Sequence, residues 1–285
     1  MNYIIYGICI VIIIIWFFYR EKKNYNQAPK KIWTYWDNPI KIPKTVELCI
    51  ASWKRFHPEY EIVLLTKKNY KGYVIIPEEL ITNQNFNDSP QRFSDLIRLW
   101  VLAEHGGVWM DASILVKGSI EDWLFPRYAE FSGFYFDGHT KKKEFPIIEN
   151  WFLACNKGSP FIKAWKDEFS RMAQFLTVEQ YVQSLRLEGV DFQGIVDPHY
   201  LAMHLSCQRV LQKMHYPLDS LYLQKADDGP FRYVIKVNWD PEKAIELACY
   251  SPEYQTPIIK FCGPERDALE KRIDHDLTVE KCGWI

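Results

Sequence analysis

Hydrophobic and polar positions divide the chain into an apolar opening, a short polar stretch and a long region of mixed period. Tyr3 to Tyr19 is unbroken apolar sequence with Ile12-Ile13-Ile14-Ile15-Trp16-Phe17-Phe18 within it. At 1.5 Å per residue a helix over this run covers about 25 Å, close to the hydrocarbon thickness of a bilayer. It lacks the polar stripe of a buried amphipathic helix. It also lacks the basic n-region and small-residue cleavage site of a signal peptide. The pattern predicts a single transmembrane helix over 1–20. Residues 21–29 follow as a polar stem that reaches at most about 35 Å.

From residue 30 the period changes from element to element. Ile32-Trp33-Thr34-Tyr35-Trp36 alternates and predicts a strand. Thr45 is placed to cap a helix through Val46, Leu48, Cys49, Ile50, Trp53 and Phe56, which Pro58 ends. Glu61 to Thr66 predicts a second strand, and strand–helix–strand over this distance implies a parallel pair. Ser89 and Pro90 suit the N-cap and first position of a helix, and Gly106 or Gly107 suits its left-handed stop. Val108-Trp109-Met110 then reads as a short buried strand that delivers Asp111 at its end. Further strands are expected over 131–136, 151–155, 231–237 and 257–262. Further helices are expected after Ser159-Pro160, after the capping box Thr177-Val178-Glu179-Gln180, and over 199–214 and 264–274. There is no internal repeat and no long linker, so residues 30–285 are expected to form one mixed α/β domain behind the anchor.

Composition narrows the class. Of the 285 residues 48% are hydrophobic, which is enough for a sizeable core, and the net charge of −1 gives no electrostatic case for nucleic acid. Arg20, Lys22, Lys23, Lys30 and Lys31 all follow the apolar run, so the positive-inside rule puts the C-terminal domain on the cytoplasmic face. The seven cysteines form no C-x-x-C pair, which argues against a zinc site; Cys9 lies in the anchor, and the other six could pair but read more simply as reduced thiols.

The candidate chemistry sits on Ser89 to Ser113. Asp95 and Arg98 are three apart and share one helix face. They suit the hydroxyls of a sugar, while Asp111, at a strand end where open α/β sheets bind ligands, suits a metal-bound diphosphate. Breaking an anomeric bond to a diphosphate raises charge on the leaving group, and Mn²⁺ or Mg²⁺ on oxygen ligands offsets it. Lys260 is a candidate for the phosphates, and Asp197 and His199 for the rest of a metal shell. Taken singly, each residue has a plainer reading. Asp95 and Arg98 would make a surface ion pair, Asp111 a strand-end cap, Trp36 a core residue and Asn150 a turn residue.

The same residues resemble a known family, the capsular polysaccharide synthesis glycosyltransferases, relatives of the fungal mannosyltransferases and the large clostridial glucosylating toxins. The resemblance runs from Lys31-Ile32-Trp33-Thr34-Tyr35-Trp36 through Cys49-Ile50-Ala51-Ser52, Leu64-Leu65-Thr66 and Tyr73-Val74-Ile75-Ile76-Pro77. It is strongest at Phe93-Ser94-Asp95-Leu96-Ile97-Arg98 and at Gly106-Gly107-Val108-Trp109-Met110-Asp111-Ala112-Ser113. Asn150-Trp151-Phe152-Leu153-Ala154 and Gly158-Ser159-Pro160-Phe161 continue it. It implies a GT-A-type, Rossmann-like mixed sheet flanked by helices. It also implies that Trp36 stacks on the nucleotide base, that Asp95 and Arg98 bind the donor sugar, and that Asp111-Ala112-Ser113 stands for the family's D-x-D. Ser113 replaces the second aspartate, and a hydroxyl is a weaker metal ligand than a carboxylate.

The expectation is therefore a membrane-anchored, nucleotide-sugar-dependent hexosyltransferase. Its site is catalytic Asp111 and Asp95; substrate-binding Trp36, Arg98, Ser113, Asn150 and Lys260; and a Mn²⁺ or Mg²⁺ on Asp111 and Ser113. Its partners are a nucleoside-diphosphate sugar, a glycan or lipid-linked acceptor and the membrane. Retention of configuration is implied by the resemblance alone, with Glu149, Asp191 and Asp197 as candidate nucleophiles. The competing class is a glycan-binding or scaffolding membrane protein without catalysis, which the Ser113 departure keeps open, although the resemblance implies that a hydroxyl residue there is the capsule branch's own form.

Overall fold

A computed structural model describes residues 28–121, 129–251 and 256–273, together with Cys282 and Trp284. The anchor expected over 1–20 and most of the stem lie outside them. Among the described residues no helix is long and apolar enough to cross a membrane.

The domain is a mixed α/β fold on a six-stranded sheet. Strands β1 (Lys31–Tyr35), β2 (Glu61–Leu65), β3 (Gly107–Met110), β5 (Phe131–Tyr135), β6 (Ile148–Cys155) and β7 (Leu221–Lys225) are ordered β2-β1-β3-β6-β5-β7. β2, β1 and β3 run parallel, β6 runs against β3 and β5, and β7 is parallel to β5. The parallel half is the strand–helix–strand unit expected from the sequence, closed over by α1 (Lys44–Phe56). A second, two-stranded sheet pairs β4 (Ile114–Val116) antiparallel with β8 (Ile258–Lys260).

Two cores lie on the two faces of the large sheet because side chains alternate along a strand. Trp33, Trp109 and Leu153 point to one face, under α4 (Pro90–His105), α5 (Pro160–Ser170), α6 (Val178–Leu187) and α7 (Ala202–Lys213). Ile32, Val108, Met110 and Phe152 point to the other, under α1, α8 (Arg232–Lys236), α9 (Pro241–Tyr250) and α10 (Gly263–Ile273). Two single turns, α2 (Glu78–Ile81) and α3 (Gln84–Asn87), lead into α4.

The expected caps of α4 and α5 are present. Ser89 and Ser159 accept from the backbone N–H groups of Arg92 and Ile162, each with proline next in the chain. α1 departs from expectation. Pro43, not Thr45, precedes it, and its free N–H groups are met by a carboxylate from the far end of the chain. Glu270 of α10 accepts from Lys44 N at 2.9 Å, from Thr45 N at 2.8 Å and from Thr45 Oγ1 at 2.7 Å. A carboxylate is well placed there, at the positive end of the helix dipole.

Three further expectations are corrected. The expected strand over 231–237 is instead the helix α8 (Arg232–Lys236); the apolar run is too short for its period to separate the two. β4 and β7 were not foreseen, because one is three residues long and the other carries polar Gln224 and Lys225. Cys249 and Cys282 form a disulfide, so not all of the cysteines are reduced thiols. Cys49, Cys155 and Cys207 are free and buried.

The turn between α4 and β3 fixes where the chain delivers Asp111. Gly106 and Gly107 both have positive φ, +67° and +97°. A Cβ at Gly107 would stand 2.7 Å from the carbonyl oxygen of Lys31, inside the neighbouring strand. The indole N–H of Trp33 donates to the Gly106 carbonyl at 2.9 Å and ties the turn to β1. Gly107→Ala is therefore expected to cost at least about 2 kcal/mol, from left-handed strain and overpacking together. Urea unfolding against Gly72→Ala, where an added Cβ meets nothing within 4 Å, is the check.

Candidate active site

Helix α4 and strand β3 put their polar residues against one another through two periodicities. On α4, residues three apart share a face, so Asp95 and Arg98 point together toward the end of β3. On β3 and its extension, residues two apart share a face, so Trp109 and Asp111 point together toward α4. Arg98 lies between the two carboxylates. Its Nη1 is 3.2 Å from Asp95 Oδ1 and its Nη2 is 3.0 Å from Asp111 Oδ1. The guanidinium carbon stands 4.8 Å from the centre of the Trp109 ring. The Trp109 indole N–H donates to Asp111 Oδ1 at 3.0 Å. From β6, Asn150 closes the arrangement: its carbonyl accepts from Arg98 Nη1, and its Nδ2 donates to Asp95 Oδ1 at 3.1 Å.

The other side of Asp111 belongs to the small sheet. In the β4–β8 pair Ile114 is opposite Lys260, so Lys260 arrives beside the residue before Ile114. Lys260 Nζ donates to Asp111 Oδ2 at 2.8 Å and to Ser113 Oγ at 3.0 Å. Trp53 and Ser52 of α1 hold β4 in place: the indole donates to Ile114 O at 2.7 Å, and the hydroxyl accepts from Val116 N at 3.0 Å.

These neighbours push the two carboxylates in opposite directions. Burial raises the Asp95 pKa above the usual carboxylate value; Arg98 opposes the rise, and the nearby Asp111 charge adds to it. Burial also acts against ionisation of Asp111, but Lys260 and Arg98 together outweigh it and hold that carboxyl below its usual value. Asp111 is the more exposed of the pair, with 26% of its side chain open to solvent against 9% for Asp95. The more readily ionised and more accessible carboxylate is therefore the one at the strand end.

Six of the seven predicted residues, Asp95, Arg98, Asp111, Ser113, Asn150 and Lys260, form one connected network. Trp36 follows β1 at the same end of the sheet as Asp111, since Trp33 is in register with Trp109. Its ring is half-buried under the Arg266 guanidinium, 5.7 Å away. Among the described residues no hydrogen bond or ion pair joins the Trp36 side chain to the other six. Of the secondary candidates, Glu149 is buried beside the network. It accepts from the Trp151 indole at 2.7 Å, and His204 Nε2 lies 3.8 Å from the same oxygen. Asp191 pairs with Lys142 at 2.7 Å, Asp197 accepts from Tyr200 N, and His199 pairs with Glu179 on the surface. Those three do not join the site.

Trp109, Met203 and His204 were not singled out from the sequence. Trp109 carried a usable signal, its i, i+2 spacing to Asp111. Met203, whose sulfur lies 3.6 Å from Asn150 Nδ2, carried none. A surface cleft lined by Val237, Lys243, Glu246, Tyr250 and Arg272 contains none of the candidate residues.

As arranged, the donor set does not fit a divalent ion on Asp111 and Ser113. Asp111 Oδ1 accepts from Arg98 and Trp109, and Oδ2 and Ser113 Oγ accept from Lys260. Among the described residues no group of three His, Cys, Asp or Glu side chains converges at metal-binding distance.

Comparison with known proteins gives this arrangement a family. The family described as capsular polysaccharide synthesis protein matches residues 12–182, more than half of the chain. The chain belongs to that family. The match includes all of α4, β3 and β6 and the chain between them, and with it Asp95, Arg98, Asp111, Ser113 and Asn150. Lys260 lies outside it. This capsular-family chain is 29% identical over 164 residues to the O-glycosyltransferase braB of Annulohypoxylon truncatum, covering 51% of this chain and 38% of that protein. It is 28% identical over 154 residues to the glycosyltransferase afumC of Aspergillus fumigatus, covering 49% and 39%. The chain thus spans about two fifths of the length of these curated relatives. Among solved structures, a galactosyltransferase in complex with donor and acceptor sugar analogues is 13% identical, with 90% of this chain and all of that one covered. Its TM-score is 0.42, too low to define a shared fold.

Removing Arg98 leaves buried Asp95 and partly open Asp111 without the guanidinium that lies between them. Arg98→Met is expected to cost about 3–5 kcal/mol in urea unfolding, and adding Asp95→Asn is expected to recover part of that loss. A cost below about 1 kcal/mol for the single variant would mean that the pairing is not what holds the network.

Proposed function

We propose that this chain is a membrane-anchored glycosyltransferase that moves a hexose from a nucleoside-diphosphate sugar to a glycan or lipid-linked acceptor. The observation that carries the proposal is the convergence of Asp95, Arg98 and Asp111 at the end of β3 in a chain of the capsular polysaccharide synthesis family. The names of the two fungal relatives support it. A GT-A-type organisation is supported by the parallel β2-β1-β3 half running directly into antiparallel β6 and β5.

In this reading the donor lies across the ends of β1 and β3. Trp36 offers an aromatic surface for the base, as the family resemblance implies. Asp95, held by Arg98 and Asn150, accepts hydrogen bonds from sugar hydroxyls and fixes the sugar's orientation, which lowers the entropic part of the barrier. The bond from the anomeric carbon to the diphosphate breaks, and its electron pair goes to the phosphate oxygen. The acceptor hydroxyl bonds to the anomeric carbon and gives its proton to that departing oxygen. We take the reaction as retaining, with the acceptor hydroxyl entering on the face that the diphosphate leaves and no protein nucleophile assigned.

A glycan-binding protein without catalysis is the competing reading, and it rests on Ser113. Full-length protein in detergent, screened with UDP- and GDP-sugars and an extract of glycan and lipid-linked acceptors, separates the two. The expected outcome is nucleotide release with one donor, reduced about 100-fold or more in Asp95→Asn. Binding of a donor without release of nucleotide, in the folded protein, would favour the binder.

For the side of the membrane, the basic flank supports a cytoplasmic catalytic domain. The Cys249–Cys282 bond favours the opposite side, because cytosolic thiols are kept reduced. Alkylation of unfolded protein from intact membranes decides between them. Two fewer reactive thiols than the seven cysteines of the sequence is expected for the oxidising side, and all seven for the cytoplasm.

A further inference from the structure

Lys260 occupies the place where the family resemblance puts a metal. Its ammonium group bridges Asp111 Oδ2 at 2.8 Å and Ser113 Oγ at 3.0 Å, the two atoms that a D-x-D-type site would offer a cation. The position is built into the backbone. β8 pairs with β4 so that Lys260 is opposite Ile114, Phe261 N donates to Ser113 O at 3.0 Å, and the Tyr233 hydroxyl donates to the Lys260 carbonyl. The strand that carries Lys260 is thus tied on both sides of the residue. Its side chain is almost fully buried, while the neighbouring Asp111 is partly open.

Charge balance points the same way. Asp95 and Asp111 contribute two negative charges, and Arg98 and Lys260 two positive ones. A dication seated on Asp111 Oδ2 and Ser113 Oγ would stand against the Lys260 ammonium and face strong like-charge repulsion. The missing second carboxylate fits this balance. With Asp at 113 the lysine would face two anions, but with Ser113 one ammonium matches one carboxylate and one hydroxyl. An ammonium has three N–H donors, and two are committed here, so a third can reach a phosphate oxygen of a ligand beside Asp111.

We infer that Lys260 is the cation that holds the donor's diphosphate in this chain, replacing a divalent metal on Asp111 and Ser113. The inference rests on the glycosyltransferase reading above. The Lys260 ammonium group offsets the negative charge that grows on the diphosphate as the anomeric bond breaks. Asp111 and Ser113 orient the ammonium group and are not metal ligands.

The test uses the full chain in detergent with two probes, Mn²⁺ and the nucleoside diphosphates UDP and GDP. Mn²⁺ binding is read from the spin-resonance signal of the free ion, with each nucleotide present. Nucleotide affinity is read by calorimetry in EDTA. The expected result for the unaltered protein is that UDP or GDP binds in EDTA and that the protein–nucleotide complex takes up no more Mn²⁺ than nucleotide alone. Lys260→Ala is expected to lose about 10- to 100-fold in nucleotide affinity in EDTA, the range of one charge-assisted hydrogen bond, and to gain Mn²⁺ binding. Lys260→Arg, which keeps the charge, is expected to retain more affinity than Lys260→Ala. Mn²⁺ uptake by the unaltered complex that disappears in Asp111→Asn would overturn the inference and leave the transferase reading standing. Nucleotide binding in EDTA that Lys260→Ala leaves unchanged would also overturn it. The donor screen addresses the transferase reading separately: metal-free nucleotide binding without turnover of any donor counts against that reading and not against the role of Lys260.

Discussion

The site depends on one carboxylate that two cations share. Asp111 takes Arg98 on one oxygen and Lys260 on the other, and it thereby joins three parts of the chain that lie far apart in sequence: α4, the end of β3, and β8. Burying a charge costs several kcal/mol unless its partners are well placed, so each partner must be held in position by the fold. Arg98 is held by Asp95, the Asn150 carbonyl and the face of Trp109. Lys260 is held by strand pairing with β4, which is fastened to α1 through Trp53 and Ser52.

That constraint explains why the second, smaller sheet exists. Two three-residue strands contribute little stability on their own. Their pairing brings residues 114 and 260 into register and sets a lysine against the end of β3. The Glu270 cap on α1 acts in the same direction, because it ties the helix after β8 to the helix beneath β4. The polar centre and the packing of the C-terminal third therefore support each other: loss of the α1–α10 contact would loosen the strand that carries Lys260.

The difference between Asp95 and Asp111 has a chemical meaning. Asp95 is the buried member, raised in pKa and satisfied by a guanidinium and an amide, so it suits a fixed orienting role. Asp111 is ionised and partly open, so it sits where a ligand's own charges would meet the protein. Two carboxylates bridged by one arginine are separated in function by what stands on their far sides: Asn150 for one, Lys260 for the other.

Much of this was legible in the sequence, where the physics is local. The Ser89-Pro90 start of α4, its glycine stop, the short apolar strand and the carboxylate at its end follow from capping, left-handed backbone and period. The residues they carry, Asp95, Arg98 and Asp111, were named on those grounds. The family resemblance added Ser113, Asn150 and Trp36. What went unread was non-local. The helix over 232–236 is the one local exception, because a short apolar run does not reveal its period. Nothing near Thr45 announces the carboxylate 225 residues away that meets the start of α1. The reduced-thiol reading missed a bond between positions 33 apart. The amino-acid sequence by itself determined which residues are chemically able to act and which local elements present them, since spacing along a helix or strand fixes the face on which each side chain emerges. Only the tertiary structure decided that Lys260 meets Asp111 and Ser113, because strand register and helix docking, not local propensity, bring those side chains within hydrogen-bonding distance.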